Sequence, residues 1–369
     1  MAERTDLRLR CITYLACGVI LVLMAPQTSD IATIWVRGAS GVAGFEYPVL
    51  ARVLYLAERA VAPSRLGIAL VNAAVQIVAT VCIISVLRRN RGRLSLWMAA
   101  PTLMLVTLNV EGITALLILL AQVSWRRGRS AASGMWAGMG AAFKLVPVFI
   151  LPPLIAASSW RAGIRTLAAT AAVWLAINIP YVLIDPAGFR FPYQFALRRQ
   201  DVQETIWAVV GLSGELAAVA SLITLGAACL ATAVAIRRGR ITPESGCALA
   251  LLAFLGTSKL WQPHYLLWAL AALALTDVPV LSVRCLEVAN LAYFFVLWRQ
   301  LPPDSEALWL RPVGAVRLAC LIWTAVAVVR SSRPGNGKRG RGKGTSLIST
   351  VCEGKEPRGH ARKRLMQAA

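Results

Sequence analysis

The sequence predicts an all-α protein that crosses a membrane many times, and three observations carry the prediction. Hydrophobic residues make up 57% of the 369-residue chain, with a mean hydropathy of +0.63. Soluble proteins stay near ~45–50% apolar. The apolar residues gather in repeated runs, many close to the ~20 residues that a helix needs to span a bilayer. Short basic clusters, "RRNRGR" (88–93), "WRRGRS" (125–130) and "RRGR" (237–240), separate the runs as cytoplasmic loops do.

Taken in order, the apolar runs fall near 9–26, 66–87, 95–108, 112–125, 134–145, 146–158, 165–184, 213–236, 243–258, 264–279, 284–298 and 313–330, about twelve in all. The first, "RCITYLACGVILVLMAP", lacks a convincing small-residue cleavage site and reads as an uncleaved span rather than a signal peptide. Several runs are too short for a straight crossing, which predicts broken or re-entrant elements. A transmembrane domain over 1–330 is expected, followed by a tail over 331–369 whose Gly and Lys/Arg content predicts disorder beside anionic headgroups.

The net charge of +22 comes from loops and tail, so membrane lipids rather than nucleic acid are the expected partner. The eight cysteines form no CxxC pair and read as free, small apolar residues. No zinc-ligand spacing, GxGxxG or Walker loop occurs, so neither metal nor cofactor is expected.

An inside N-terminus puts every basic cluster, including the tail, in the cytoplasm. The outer loops are then 27–65, 109–111, 144–147, 185–212, 258–263 and 299–312. In the first, Tyr47, Leu50, Val53, Leu54 and Ala57 recur at helical spacing, with Glu46, Arg52, Glu58 and Arg59 elsewhere around the helix. This predicts an amphipathic helix on the membrane surface. Asp30 reads either as a helix cap for "IATIWVRG" or as a carboxylate at headgroup level.

Lys144, in "GAAFKLVPVF", either snorkels to the interface or binds an anion there. Lys259, Gln262 and His264 interrupt an apolar run in "TSKLWQPHYLLWAL", where ionisable groups are costly and point to function. A lone histidine can equally be a satisfied link between helices. Trp261, Tyr265 and Trp268 surround it with rings suited to a sugar face or an interfacial belt. Arg198, Arg199 and Glu204 add charge in the loop 185–212.

Four segments together resemble the GT-C glycosyltransferases, and specifically glycosyltransferase family 87 of actinobacterial type. They are Asp30 with "FEYPVLARVLY", "GMGAAFKLVPVFILPPLI", "RRQDVQETIWAVVGL" and "TSKLWQPHYLLWAL", in matching order to about residue 300. Two departures stand out: Val49 follows Tyr47-Pro48 where a second proline is usual, and Gln262-Pro263-His264-Tyr265 replaces the usual Pro-Gln-Tyr.

The resemblance implies a GT-C-like bundle and an inverting transfer on the extracytoplasmic face. Mannose would move from a polyprenyl-phosphate donor to a glycolipid or lipoglycan acceptor, forming an α-linkage. It further implies Asp30 as base, with His264 as partner or rival. Lys144, Lys259, Arg198 and Arg199 would hold the donor phosphate, and Glu46, Tyr47, Glu204 and Gln262 the sugars or acceptor. An arabinofuranosyltransferase of the same fold stays open, as does a lipid-linked sugar flippase. The flippase is disfavoured because no internal repeat is evident and the charges cluster at one face.

Overall fold

The structure, a computed structural model, describes residues 2–24, 46–198, 205–298 and 303–332. All of its described elements are helical. In order they are α1 (Ala2–Met24), α2 (Val49–Val61), α3 (Arg65–Arg89), α4 (Leu94–Met98), a 3₁₀ segment Pro101–Leu108, α5 (Glu111–Arg126) and α6 (Ser130–Phe143). A second 3₁₀ segment, Val146–Ile150, leads to α7 (Leu151–Ala156), α8 (Trp160–Ile184), α9 (Pro186–Arg198), α10 (Ile206–Val209), α11 (Gly214–Arg237) and α12 (Pro243–Thr257). The 3₁₀ turn Pro263–Tyr265, α13 (Leu266–Leu273), α14 (Val280–Trp298) and α15 (Pro303–Ser331) complete the series.

Six of these helices are long and apolar enough to cross a membrane, and the described chain is a multi-pass membrane protein. Their outward side chains, among them Val78, Leu175, Leu222 and Val288, are exposed and apolar, as lipid contact requires. The end residues follow the helix dipole. Arg88, Arg89, Arg126, Arg237 and Arg330 occupy last turns, while Ser64, Ser159 and Thr242 cap α3, α8 and α12.

The short runs are the broken elements. The 3₁₀ segment Pro101–Leu108 and α5 meet at 112°, and the run expected over 95–108 is itself interrupted before Pro101. Such a break leaves backbone groups without partners in a setting that contains no water. Two amides on α3 supply them. Asn72 Nδ2 donates to the carbonyls of Thr107 and Asn109, both at 3.3 Å, and Gln76 Oε1 accepts from the Ile113 N–H at 3.3 Å.

α6 and α8 pack in close parallel contact. A Cβ on Gly134 would lie 2.1 Å from the Thr166 carbonyl oxygen, and one on Gly138 would lie 2.5 Å from that of Thr170. This is the small-xxx-small approach of membrane helices. Thr166 and Thr170 hydroxyls cross the seam to the carbonyls of Ser130 and Gly134, at 3.2 and 3.1 Å.

The amphipathic helix is α2, but its faces are not arranged as the sequence suggests. Val53, Leu56 and Val61 point outward, while Arg52 and Glu58 are buried with Ala51 and Tyr55. The physical reason is the solvent on each side. An outward face that meets lipid favours apolar groups, and an inward face can offer partners such as Asp185, 3.4 Å from Arg52.

Candidate active site

Three chain reversals at one end of the bundle, opposite the arginine-rich turns, bring polar side chains together. The first is the break at Asn109–Val110, which puts Glu111 in the opening turn of α5, where the dipole favours a carboxylate. The second is the end of α6, where Lys144 turns to extended backbone and its N–H bonds the Gly140 carbonyl at 2.7 Å. The third is the Pro263–Tyr265 turn, which a 2.8 Å bond from Asn290 Nδ2 to the Pro263 carbonyl holds in place.

Glu111 is the hub of the cluster and is fully buried. Its Oε1 pairs with Lys144 Nζ, and its Oε2 accepts from Trp268 Nε1 at 2.5 Å. His264 Nε2 lies 3.7 Å from the same carboxylate. Rings surround the lysine, with its Nζ 4.4 Å from the Tyr265 centroid, 4.8 Å from Trp268 and 5.3 Å from Tyr47. Tyr265 and Trp268 stack at 4.3 Å. A half-buried ammonium among apolar helices is stabilised by such compensation.

Asn109 links the remaining members. Its Oδ1 accepts from the Val110 N–H at 2.6 Å, which turns Nδ2 towards His264 Nε2 at 3.1 Å and the Tyr47 hydroxyl at 3.4 Å. Because Nδ2 is a donor, His264 Nε2 accepts and the ring proton sits on Nδ1.

Lys259 is held in a neighbouring group. Its Nζ donates to the Leu197 carbonyl at 2.9 Å, and Trp207 Nε1 donates to the Thr257 carbonyl. This ties the end of α9 and the start of α10 to the turn after α12, beside the exposed Arg198. Close by, the fully buried Arg317 lies between the rings of Trp261 and Tyr293, at 4.0 and 3.6 Å.

Of the residues singled out from sequence, Tyr47, Lys144 and His264 meet in the Glu111 cluster. Glu46 is half-buried next to Tyr47, and Gln262 is half-buried before Pro263, its carbonyl accepting from the Tyr265 N–H at 3.0 Å. Asp30, Arg199 and Glu204 lie outside the described residues.

Sequence reasoning missed Asn109 and Glu111. A signal was there: Glu111 is the sole Asp or Glu between Glu58 and Asp185, in the middle of an apolar stretch. A solitary intramembrane acid marks a site on the same logic as an intramembrane lysine.

No protein-family model and no curated protein matches the chain. Among solved structures, ArnT from Cupriavidus metallidurans bound to undecaprenyl phosphate is similar at 16% identity, covering 86% of this chain and 76% of that one, with a TM-score of 0.44. ArnT from Cupriavidus metallidurans in the apo state is similar at 15% identity, covering 89% and 77%, with a TM-score of 0.46. Both likenesses are too distant to assign a chemistry to this chain.

Proposed function

We propose that the protein is a GT-C-type membrane glycosyltransferase that moves mannose from a polyprenyl-phosphate donor to a glycolipid or lipoglycan acceptor. The reaction is inverting, occurs on the extracytoplasmic face and forms an α-linkage. One observation carries the reading. Three of the four segments that resemble family 87 contribute Tyr47, Lys144 and His264 to a single cluster built around Glu111.

In this reading the bond from the sugar's anomeric carbon to the phosphate oxygen breaks as the acceptor oxygen attacks from the opposite side. Charge then accumulates on a phosphate monoester, and Lys144 and Lys259, with Arg198 and Arg199, stabilise it. Glu111 holds Lys144 in place by accepting a hydrogen bond from its Nζ. Asp30 accepts the acceptor's proton as general base.

His264 serves as its orienting partner, its ring held by the contact between Nε2 and Asn109 Nδ2. Glu46, Tyr47, Glu204 and Gln262 bond the hydroxyls of donor sugar and acceptor. Basic turns at the far end of the bundle support the outward orientation of the cluster.

The test is to incubate membranes holding the protein with radiolabelled polyprenyl-phosphate mannose, and separately with the arabinofuranose donor. A labelled lipid dependent on the protein and formed only from mannose is the expected result. Label from arabinofuranose alone would transfer the reading to that sugar. Movement of donor across the bilayer without a labelled product would replace it with a flippase.

A further inference from the structure

The helix α3 contributes no side chain to the Glu111 cluster. It does carry two fully buried amides, Asn72 and Gln76, spaced four residues apart on one face. A polar group inside an apolar span is costly unless it is hydrogen-bonded. Gln76 Nε2 donates to Asn72 Oδ1 at 3.4 Å, which orients the pair. Their further partners agree with that orientation. Two carbonyls demand the donor Nδ2 of Asn72, and the Ile113 N–H demands the acceptor Oε1 of Gln76.

The amides grip the broken span on both sides of the break. Asn72 holds the carbonyls of Thr107 and Asn109, and so clamps the chain across Leu108, the last residue of the 3₁₀ segment. Gln76 reaches the third residue of α5, whose N–H is among those that a helix start leaves without a partner. Val110, at the head of that helix, supplies no side-chain cap. The approach depends on Gly112, because a Cβ there would come 2.7 Å from Gln76 Oε1. Gly18 lets α1 close on the same segment: a Cβ would come 2.4 Å from the Met104 carbonyl oxygen and 2.5 Å from Thr107 Oγ1.

The residues that flank the break belong to the candidate site. Asn109 contacts His264 and Tyr47, and Glu111 bonds Lys144 and Trp268. A rotation of the Asn109 peptide therefore moves the histidine side, and a shift in the opening turn of α5 moves the lysine side. A displacement of about 1 Å at a reacting group costs about 10²-fold in rate, so an amide two contacts away can still govern turnover.

We propose that Asn72 and Gln76 are positioning residues for the transfer. Asn72 sets Asn109, and through it His264 and Tyr47, while Gln76 sets Glu111, and through it Lys144. The chemical consequence rests on the glycosyltransferase reading; the geometric coupling stands without it.

The test reads the geometry first. The chain has two histidines, His264 and His360, so His360→Gln leaves one imidazole. Solid-state nitrogen NMR of the full chain in lipid bilayers, with labelled histidine, then reports on His264 alone. Asn72→Ala should move its ring resonances beyond their linewidth. Ile83→Ala, which opens a cavity in the same helix about 10 Å from Gln76, should lower the unfolding midpoint but leave them in place. Unmoved resonances in Asn72→Ala, or equal movement in both variants, overturn the assignment.

Transfer kinetics test the Gln76 half through a double-mutant cycle. Gln76→Ala and Gly112→Ala break the same contact, and each should lower kcat per folded molecule by about tenfold or more. Together they should do no more than either alone, because the amide that crowds the added Cβ is then gone. Additive losses, or an equal loss in Ile83→Ala, overturn the Gln76 role. Imidazole resonances that follow Asn72 in a protein without transfer activity would support the coupling and remove the glycosyltransferase reading instead.

Discussion

Glu111 and Lys144, thirty-three residues apart in sequence, pair a fully buried carboxylate with a half-buried ammonium where a broken membrane span and the end of a second helix come together. Removing Lys144 leaves the fully buried Glu111 charge unmatched, which costs up to about 3–5 kcal/mol, and removing Glu111 costs less because the ammonium is only half-buried. Glu111→Gln and Lys144→Met should therefore each lower the unfolding midpoint in detergent. The double variant should recover much of that stability, because no orphan charge remains. Its turnover should stay down by about 10²-fold or more, because the leaving phosphate has lost a cation. Recovery of turnover along with stability would reduce the pair to a structural role.

Asp30 and Lys259 should fail differently. Asp30→Asn removes the base and should lower turnover by about 10²–10⁴-fold while polyprenyl-phosphate binding survives. Lys259→Ala should weaken donor binding and slow transfer together. Normal turnover in Asp30→Asn would end its assignment. A cap role for Asp30 predicts instead a loss of about 0.5–2 kcal/mol in stability on truncation to Ala, with activity per folded molecule preserved.

Sidedness is open to a direct check. In a background lacking the eight native cysteines, a cysteine replacing Ala187 should react with an impermeant thiol reagent in intact cells. One replacing Arg240, in the "RRGR" turn, should react only after permeabilisation. Reversed labelling would put the cluster on the cytoplasmic side.

Glu58 on α2 gives a pH prediction. Burial raises its carboxyl from 4.5 to about 8, and neither oxygen has a hydrogen-bond partner among the described residues. The unfolded chain releases this proton near the lower value and the folded one near the upper. Stability is therefore lost as pH rises between them and is level above about 8. Glu58→Gln removes the penalty. Its gain in unfolding midpoint over the parent should be small at pH 5 and large at pH 9. An equal gain at both would show that the carboxyl does not titrate in this window.

The spans were legible because bilayer thickness sets run length, and the basic turns because topology follows Lys and Arg. Lys144 and His264 stood out as charges in apolar runs, and the structure joins them through Glu111. What could not be read is which groups satisfy one another. Asn72 and Gln76 look like stray polar residues in an apolar run until the broken span they support is visible. Arg52 and Glu58 read in the sequence only as polar positions elsewhere around α2. On a helix between lipid and protein such groups turn inward, and only partners such as Asp185 show it.

The glycine–threonine seam between α6 and α8 has an effect beyond packing. Lys144 ends one of these parallel helices, and Asp185 ends the other, which runs on past the level of the lysine by about 14 Å at 1.5 Å per residue. With backbones in direct contact, the two helices act as a single plate, and α8 stands as a wall above the lysine. The height of that wall is then a fixed gauge for whatever lipid headgroups lie against it. A bulky residue at Gly134, about 15 Å along the helix from Lys144, would reset that gauge without touching any group in the site.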